Sequence, residues 1–209
     1  MSKCIMLIRH AEKPRLGDDG VDDSGMPDSG SLSVQGWRRA GALVPYFASL
    51  AERAHERMLS RPQYIVAAAP SAKHPSTRPR DTVEPLADRL GLWVDERWSD
   101  ADPVDQVAQH LRDLDAPVLV CWRHDDLPAL GRAILARDDI PTRWPTDRFD
   151  VTWSFRFEGR RWEFLQLPQL LLAGDRLDAI RSHGEPPIRL ASPRGDLRPP
   201  ATIGSATES

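Results

Sequence analysis

The sequence predicts an α/β domain with a mostly parallel central sheet, helices on both faces, and a C-terminal β-hairpin at the sheet edge. Two observations carry that prediction. Short apolar runs alternate along the chain with segments of helical period, and glycines or prolines punctuate the boundaries. Strands that alternate with helices pack as parallel neighbours, since each crossover helix returns the chain over one face. Near the end, VTWSFRF (151–157) and RWEFLQL (161–167) flank Glu158, Gly159 and Arg160, which reads as a hairpin.

The elements follow in order. CIMLIR (4–9) is short and apolar enough to be a buried strand, and Pro14 marks where the backbone has left it. The stretch 17–31 has five aspartates and no periodicity, and its carboxylates do not fit a calcium-loop spacing; it reads as a long solvated loop. Ser33 can cap a helix bearing Val34, Trp37, Leu43, Val44, Phe47, Leu50 and Ala54, with a kink expected at Pro45. YIVAAA (64–69) is the second strand, closed by Pro70. A helix carrying Val83, Leu86, Ala87 and Leu90 then stops at Gly91. LWV (92–94) is a short third strand, and Asp102 and Pro103 suit the N-cap and first position of the next helix. PVLVCW (117–122) is the fourth strand, followed by a helix over 127–137. From 184 the chain is rich in Pro, Ser, Gly and Arg, so residues 1–183 read as one domain and 184–209 as a tail.

Composition excludes several classes. A net charge of −3 leaves no basic footprint for nucleic acid, and no apolar run approaches a membrane span. The five apolar residues at the start are too few for a signal-peptide core, so the cytoplasm is the expected location. Cys4 and Cys121 both fall inside predicted strands and read as buried free thiols; they can form neither a disulfide framework nor a metal cluster.

In a parallel sheet, ligands bind beyond the carboxyl ends of the strands. That rule gathers Arg9 and His10 after the first strand, KHPSTRPR (73–80) after the second, Asp100 after the third, and His124 with Asp125 after the fourth. Forked arginine donors suit the oxygens of a phosphoryl group, and a neutral imidazole is an adequate nucleophile near neutral pH. Lys13 and Arg15 can help hold an anionic substrate or simply be solvated, and His74 can line the pocket. His55, His110 and His183 lie in polar contexts that suit the surface; Arg123 suits a structural or rim role, and Trp122 a wall of the site.

These residues resemble the histidine phosphatase superfamily, whose fold is shared with cofactor-dependent phosphoglycerate mutases. LIRHAEKP (7–14) is similar to its opening Arg-His-Gly/Ala signature, and LSVQGWRRA (32–40) to the Leu-Ser-x-x-Gly-x-x-Arg/Gln-Ala helix start. RPRDTVEPLADRLGL (78–92) resembles the helix that carries the second phosphate arginine, and VLVCWRHDD (118–126) the strand leading to the second histidine. The resemblance implies a metal-independent phosphomonoester hydrolase, needing no cofactor, that forms a phosphohistidine at His10. It implies that Arg9, Arg78 and His124 grip the phosphate of a small phosphorylated substrate. The loop before Arg78 is stretched by AKHPST (72–77), which leaves Arg80 as the alternative arginine. The proton donor is Asp125 or Asp100. Within the family, Arg-His-Ala also opens compact phosphohistidine protein phosphatases, whereas Lys13, Pro14 and Arg15 depart from the mutase pattern. A catalytically idle phosphate-binding module is the reading from another class.

Overall fold

The computed structural model describes residues 3–49 and 59–181. Four parallel strands, β1 (Cys4–Arg9), β2 (Tyr64–Ala67), β3 (Val94–Asp95) and β4 (Val118–Trp122), join the antiparallel pair β5 (Val151–Glu158) and β6 (Arg161–Pro168). Their order is β3-β2-β4-β1-β5-β6, so the hairpin forms one edge and β1 sits in the middle, flanked by β4 and β5.

Strand alternation divides the core cleanly. Cys4, Met6 and Ile8 of β1, with Ile65, Leu119 and Cys121, face the helices α1 (Val34–Ala48) and α2 (Arg78–Leu90). Ile5 and Leu7, with Val66, Val118, Val120 and Trp122, face α3 (Val104–Asp113) and α4 (Leu127–Leu135). Because β1 and β4 are buried on both faces, their runs are continuously apolar rather than alternating. Both cysteines are buried free thiols, and burial pushes their thiols above the ordinary range.

Several boundaries differ from the sequence reading. β3 lies at Val94–Asp95 rather than 92–94, and β2 ends at Ala67, the Ala68 N–H making a last ladder bond to the Cys121 carbonyl before the Ala69 N–H turns to the Trp98 carbonyl. Asp102 does not cap α3: its carboxylate accepts from the Ser99 N–H and hydroxyl, and Pro103 takes the cap position. α4 stops at Leu135 where Ala136 enters the left-handed region. Leu50 and Ala54 lie outside the described residues, as does the proposed boundary between domain and tail. The acidic loop is not simply solvated. Val21 bridges to Pro27 and Leu32, Trp37 donates its indole N–H to the Val21 carbonyl, and Ser31 and Leu32 are buried. No helix among the described residues is long and apolar enough to cross a membrane.

The start of α1 is fixed against the end of β1. Ser33 caps the helix by accepting from the Gly36 N–H at 3.1 Å, while its own hydroxyl and N–H both donate to the Glu12 carbonyl. A Cβ on Gly36 would stand 2.4 Å from that same carbonyl oxygen, whereas one on Gly41 would meet nothing. Gly36→Ala is therefore expected to cost about 1–3 kcal/mol by overpacking backbone. Gly41→Ala in the same helix should be neutral or stabilising by up to about 1 kcal/mol. Denaturant unfolding of both variants checks the contrast.

Candidate active site

His10 stands just beyond β1, and its N–H continues the parallel ladder by donating to the Trp122 carbonyl at 3.0 Å. The side chain is 7% exposed. Its Nδ1 lies 2.7 Å from the Ala11 carbonyl oxygen. A carbonyl can only accept, so Nδ1 carries the hydrogen and Nε2 keeps the lone pair. Burial, and then the charges of Arg9 and Arg78, push the imidazole down to about 3. His10 is thus a neutral base at physiological pH.

Arg9 is held by backbone rather than by carboxylates. Its Nη1 donates to the carbonyls of Pro145, Thr146 and Arg148, at 3.2, 2.7 and 3.1 Å. The guanidinium carbon lies 3.8 Å from the ring centre of Phe149, whose edge also meets the His10 ring. Burial lowers the Arg9 pKa to about 10, still well above neutrality. Carbonyls orient an arginine without cancelling its charge, which leaves that charge free to act on an anion.

Arg78 follows the same logic at the start of α2. Nε donates to the Ser31 carbonyl at 2.9 Å and Nη2 to the Ser29 carbonyl at 2.7 Å. This contact explains the packed acidic loop: its last turn aims Arg78. The Ala11 N–H donates to the Thr82 hydroxyl, which itself donates to the Arg78 carbonyl, so the loop after β1 and the first turn of α2 are stitched together. Arg80 points elsewhere, pairing with Glu84 at 2.7 Å and Glu96 at 3.9 Å. Between the two arginines, Arg78 is the one whose charge reaches His10.

His124 follows β4 with Nε2 3.3 Å from an Asp125 oxygen. Burial and the Arg9 charge lower its pKa, and Asp125 opposes them. Lys13 is exposed, and its charge and that of Arg143 also act on His124. The structure therefore brings together Arg9, His10, Lys13, Arg78, His124 and Asp125. Asp100 is drawn into a different cluster. A hydrogen bond from Ser71 and the charges of His74 and Arg123 hold its carboxyl below the usual range, and His74 Nε2 stands 3.8 Å away. Arg123 anchors the loop after β2 through the Ala69 and His74 carbonyls, a structural role.

Trp122 does not wall the site with its ring. Alternation along β4 sends that ring into the core over α3 and α4, and only its carbonyl touches His10. Phe149 supplies the aromatic wall instead, from a loop with no periodic signal. Thr82 was within reach of sequence reasoning, since it lies in the helix-start motif. Asp126 was not singled out, yet burial and the neighbouring Asp100 carboxylate hold its carboxyl above the usual range. His110 packs on Trp98, and His55 and His183 fall outside the described residues. Among the described residues no group of three His, Cys, Asp or Glu side chains is arranged to hold a metal ion.

The architecture matches that of the protein histidine phosphatase SixA, solved with tungstate, at a TM-score of 0.51 and 15% identity over 79% of this chain and 97% of that one. A mycobacterial glucosyl-3-phosphoglycerate phosphatase aligns at 0.49 and 16% identity, over 78% of this chain and 97% of its own. A phosphoserine phosphatase from Entamoeba histolytica, in complex with 3-phosphoglyceric acid, aligns at 0.48 and 12% identity, over 77% and 94%. No protein-family model and no curated protein matches the chain. At such identities the likeness to the protein histidine phosphatase SixA is one of fold.

The buried His10 makes stability depend on pH. Its native pKa of about 3 lies below the ordinary 6.5, so folding favours the neutral form. That contribution is complete above about pH 6.5 and is lost as the pH falls towards 3. Unfolding free energies measured near pH 7 and near pH 5 should drop more for the wild type than for His10→Asn. Equal drops would show that His10 is not the buried base.

Proposed function

We propose that the protein is a metal-independent phosphomonoester hydrolase that forms a phosphohistidine at His10 on a small phosphorylated metabolite. The observation that carries this reading is the tautomer. A buried imidazole with Nδ1–H tied to a carbonyl presents a lone pair on Nε2, within the field of the Arg9 and Arg78 guanidinium groups, whose hydrogen bonds go to backbone carbonyls.

The chemistry follows from that arrangement. Substrate phosphoryl oxygens take up the donors Arg9 and Arg78 leave unused, with His124 as a further donor. Nε2 attacks phosphorus, the phosphorus–oxygen bond to the alcohol breaks, and the departing oxygen receives a proton. The positive charge then on the imidazole is stabilised through Nδ1–H and the Ala11 carbonyl. Water next attacks the phosphohistidine, gives its proton to the same acid, and releases inorganic phosphate with neutral His10 restored. The arginines supply the charge stabilisation that a divalent ion would otherwise provide.

Asp125 is the proton donor in this proposal. It stands against His124 and within the field of Arg9. Asp100 is engaged by Ser71 and His74 and held ionised, and Asp126 faces Asp100 and His74 rather than His10.

Turnover of an aryl phosphate should persist in excess EDTA and vanish in His10→Ala. Acid quenching of wild type with labelled substrate should leave acid-labile, base-stable phosphate on the protein. Full activity in His10→Ala would overturn the proposal, and loss on chelation with rescue by a divalent ion would overturn its metal-free form.

Esters with poor leaving groups depend on the acid far more than those with good ones. Asp125→Asn should slow a poor leaving group by about 10²-fold or more and a good one much less. Should Asp100→Asn or Asp126→Asn show that selectivity instead, the donor is that residue.

A further inference from the structure

The loop that the sequence stretches before Arg78 builds a second feature. Ser71 and His74 exchange backbone hydrogen bonds at 2.9 and 3.1 Å, and the His74 N–H also lies 3.0 Å from the Ser71 hydroxyl. The guanidinium of Arg123 grips this tight turn from below through the carbonyls of Ala69 and His74. Thr77 closes the far side by donating to the Gly30 carbonyl at 3.2 Å. The result is a groove of about 450 Å³ lined by the 28–30 and 73–76 segments and by Arg78, with Lys73 on the turn.

Charge decides what this groove accepts. Arg78 spends Nε and Nη2 on carbonyls, which leaves its net charge intact. One carboxylate, Asp28, lies on the wall, oriented by the Gly30 N–H at 2.7 Å and acting on Arg78, so the second cation on the groove, Lys73, sets the balance. Lys73 is exposed, and the carboxylate within its field is that of Asp126, distant from the turn in sequence. It is one of only three lysines in the chain, and the turn displays it on the same groove as the phosphate arginine.

We propose that Lys73 is a specificity-determining residue that reads a second anionic group, a carboxylate or phosphate, on the alcohol half of the substrate. This rests on the phosphohydrolase reading, because Arg78 must hold the transferring phosphoryl group while the alcohol half runs along the groove. The ligand class is then a phosphomonoester with two separated negative groups. Neutral alkyl or aryl phosphates would use only half the site.

The test compares phenyl phosphate with 3-carboxyphenyl and 4-carboxyphenyl phosphate. Wild type should favour one of the carboxylated esters in kcat/KM by about fivefold, the scale of an exposed ion pair. The preference should fall to near unity in Lys73→Ala and survive in Lys73→Arg. If none of the esters is hydrolysed, the hydrolase reading fails, and calorimetric binding of the same three compounds still decides the groove. A preference for the carboxylated compounds lost in Lys73→Ala sustains the inference. Equal affinities or equal kcat/KM across the series in wild type would make Lys73 a solvated surface lysine and overturn it.

Discussion

An imidazole buried beside two guanidinium groups carries no added proton near neutral pH, and most of the site is arranged around that constraint. Desolvation and like charge act in the same direction on His10. The ring stays neutral, and the Ala11 carbonyl then decides which nitrogen holds the hydrogen. A lone pair on Nε2 therefore requires no adjacent base. It is a consequence of burial, of one hydrogen bond and of the end of a central strand.

Keeping two cations beside a neutral histidine requires holding them without neutralising them. Arg9 and Arg78 are both fixed by main-chain carbonyls, from loops far apart in sequence. Two of the nearby carboxylates have other partners: Asp81 accepts from Ser31 and Thr77, and Glu12 is bound by Arg39. Arg39 also reaches Asp175 at 2.7 Å, so a buried ion network ties the segment after β1 to the chain beyond the hairpin. Breaking such a buried pair typically costs about 3–5 kcal/mol, which makes this network scaffold rather than chemistry. The same motif that suggests phosphate binding thus contains residues whose work is to hold the loop.

Loop segments do the fine positioning. The acidic stretch offers carbonyls to Arg78, and the loop before β5 offers carbonyls and the Phe149 ring to Arg9. Both loops contain little apolar periodicity, yet each carries buried anchors: Leu32 in the first case, Trp144 and Arg148 in the second. Arg148 in turn is locked by Asp150 and the Asp178 carbonyl. The arginines are precise because their partners are backbone atoms of anchored turns.

Local chemistry was legible in the chain itself. Continuous apolar runs announced strands buried on both faces, Ser33 announced a cap, and Gly91 announced a helix end; each depends on neighbours within a few residues. The parallel order of the strands followed from the alternation, and it alone collected His10, Arg78 and His124 at one edge. What the chain could not show was which way each side chain turns after its strand ends. Trp122 looked like a wall and went into the core, because alternation along β4 fixes its face. Asp100 stood beside Asp125 as a candidate acid, and the structure engages it with Ser71, His74 and Arg123. Phe149 gave no local signal, since its place against Arg9 comes from the fold of a loop anchored by residues on other elements. Sequence determined the fold class and the residue types at the sheet edge, because period and propensity are local. Tertiary structure decided the tautomer, the free charge and the partner of each carboxylate, because these are set by atoms distant in the chain.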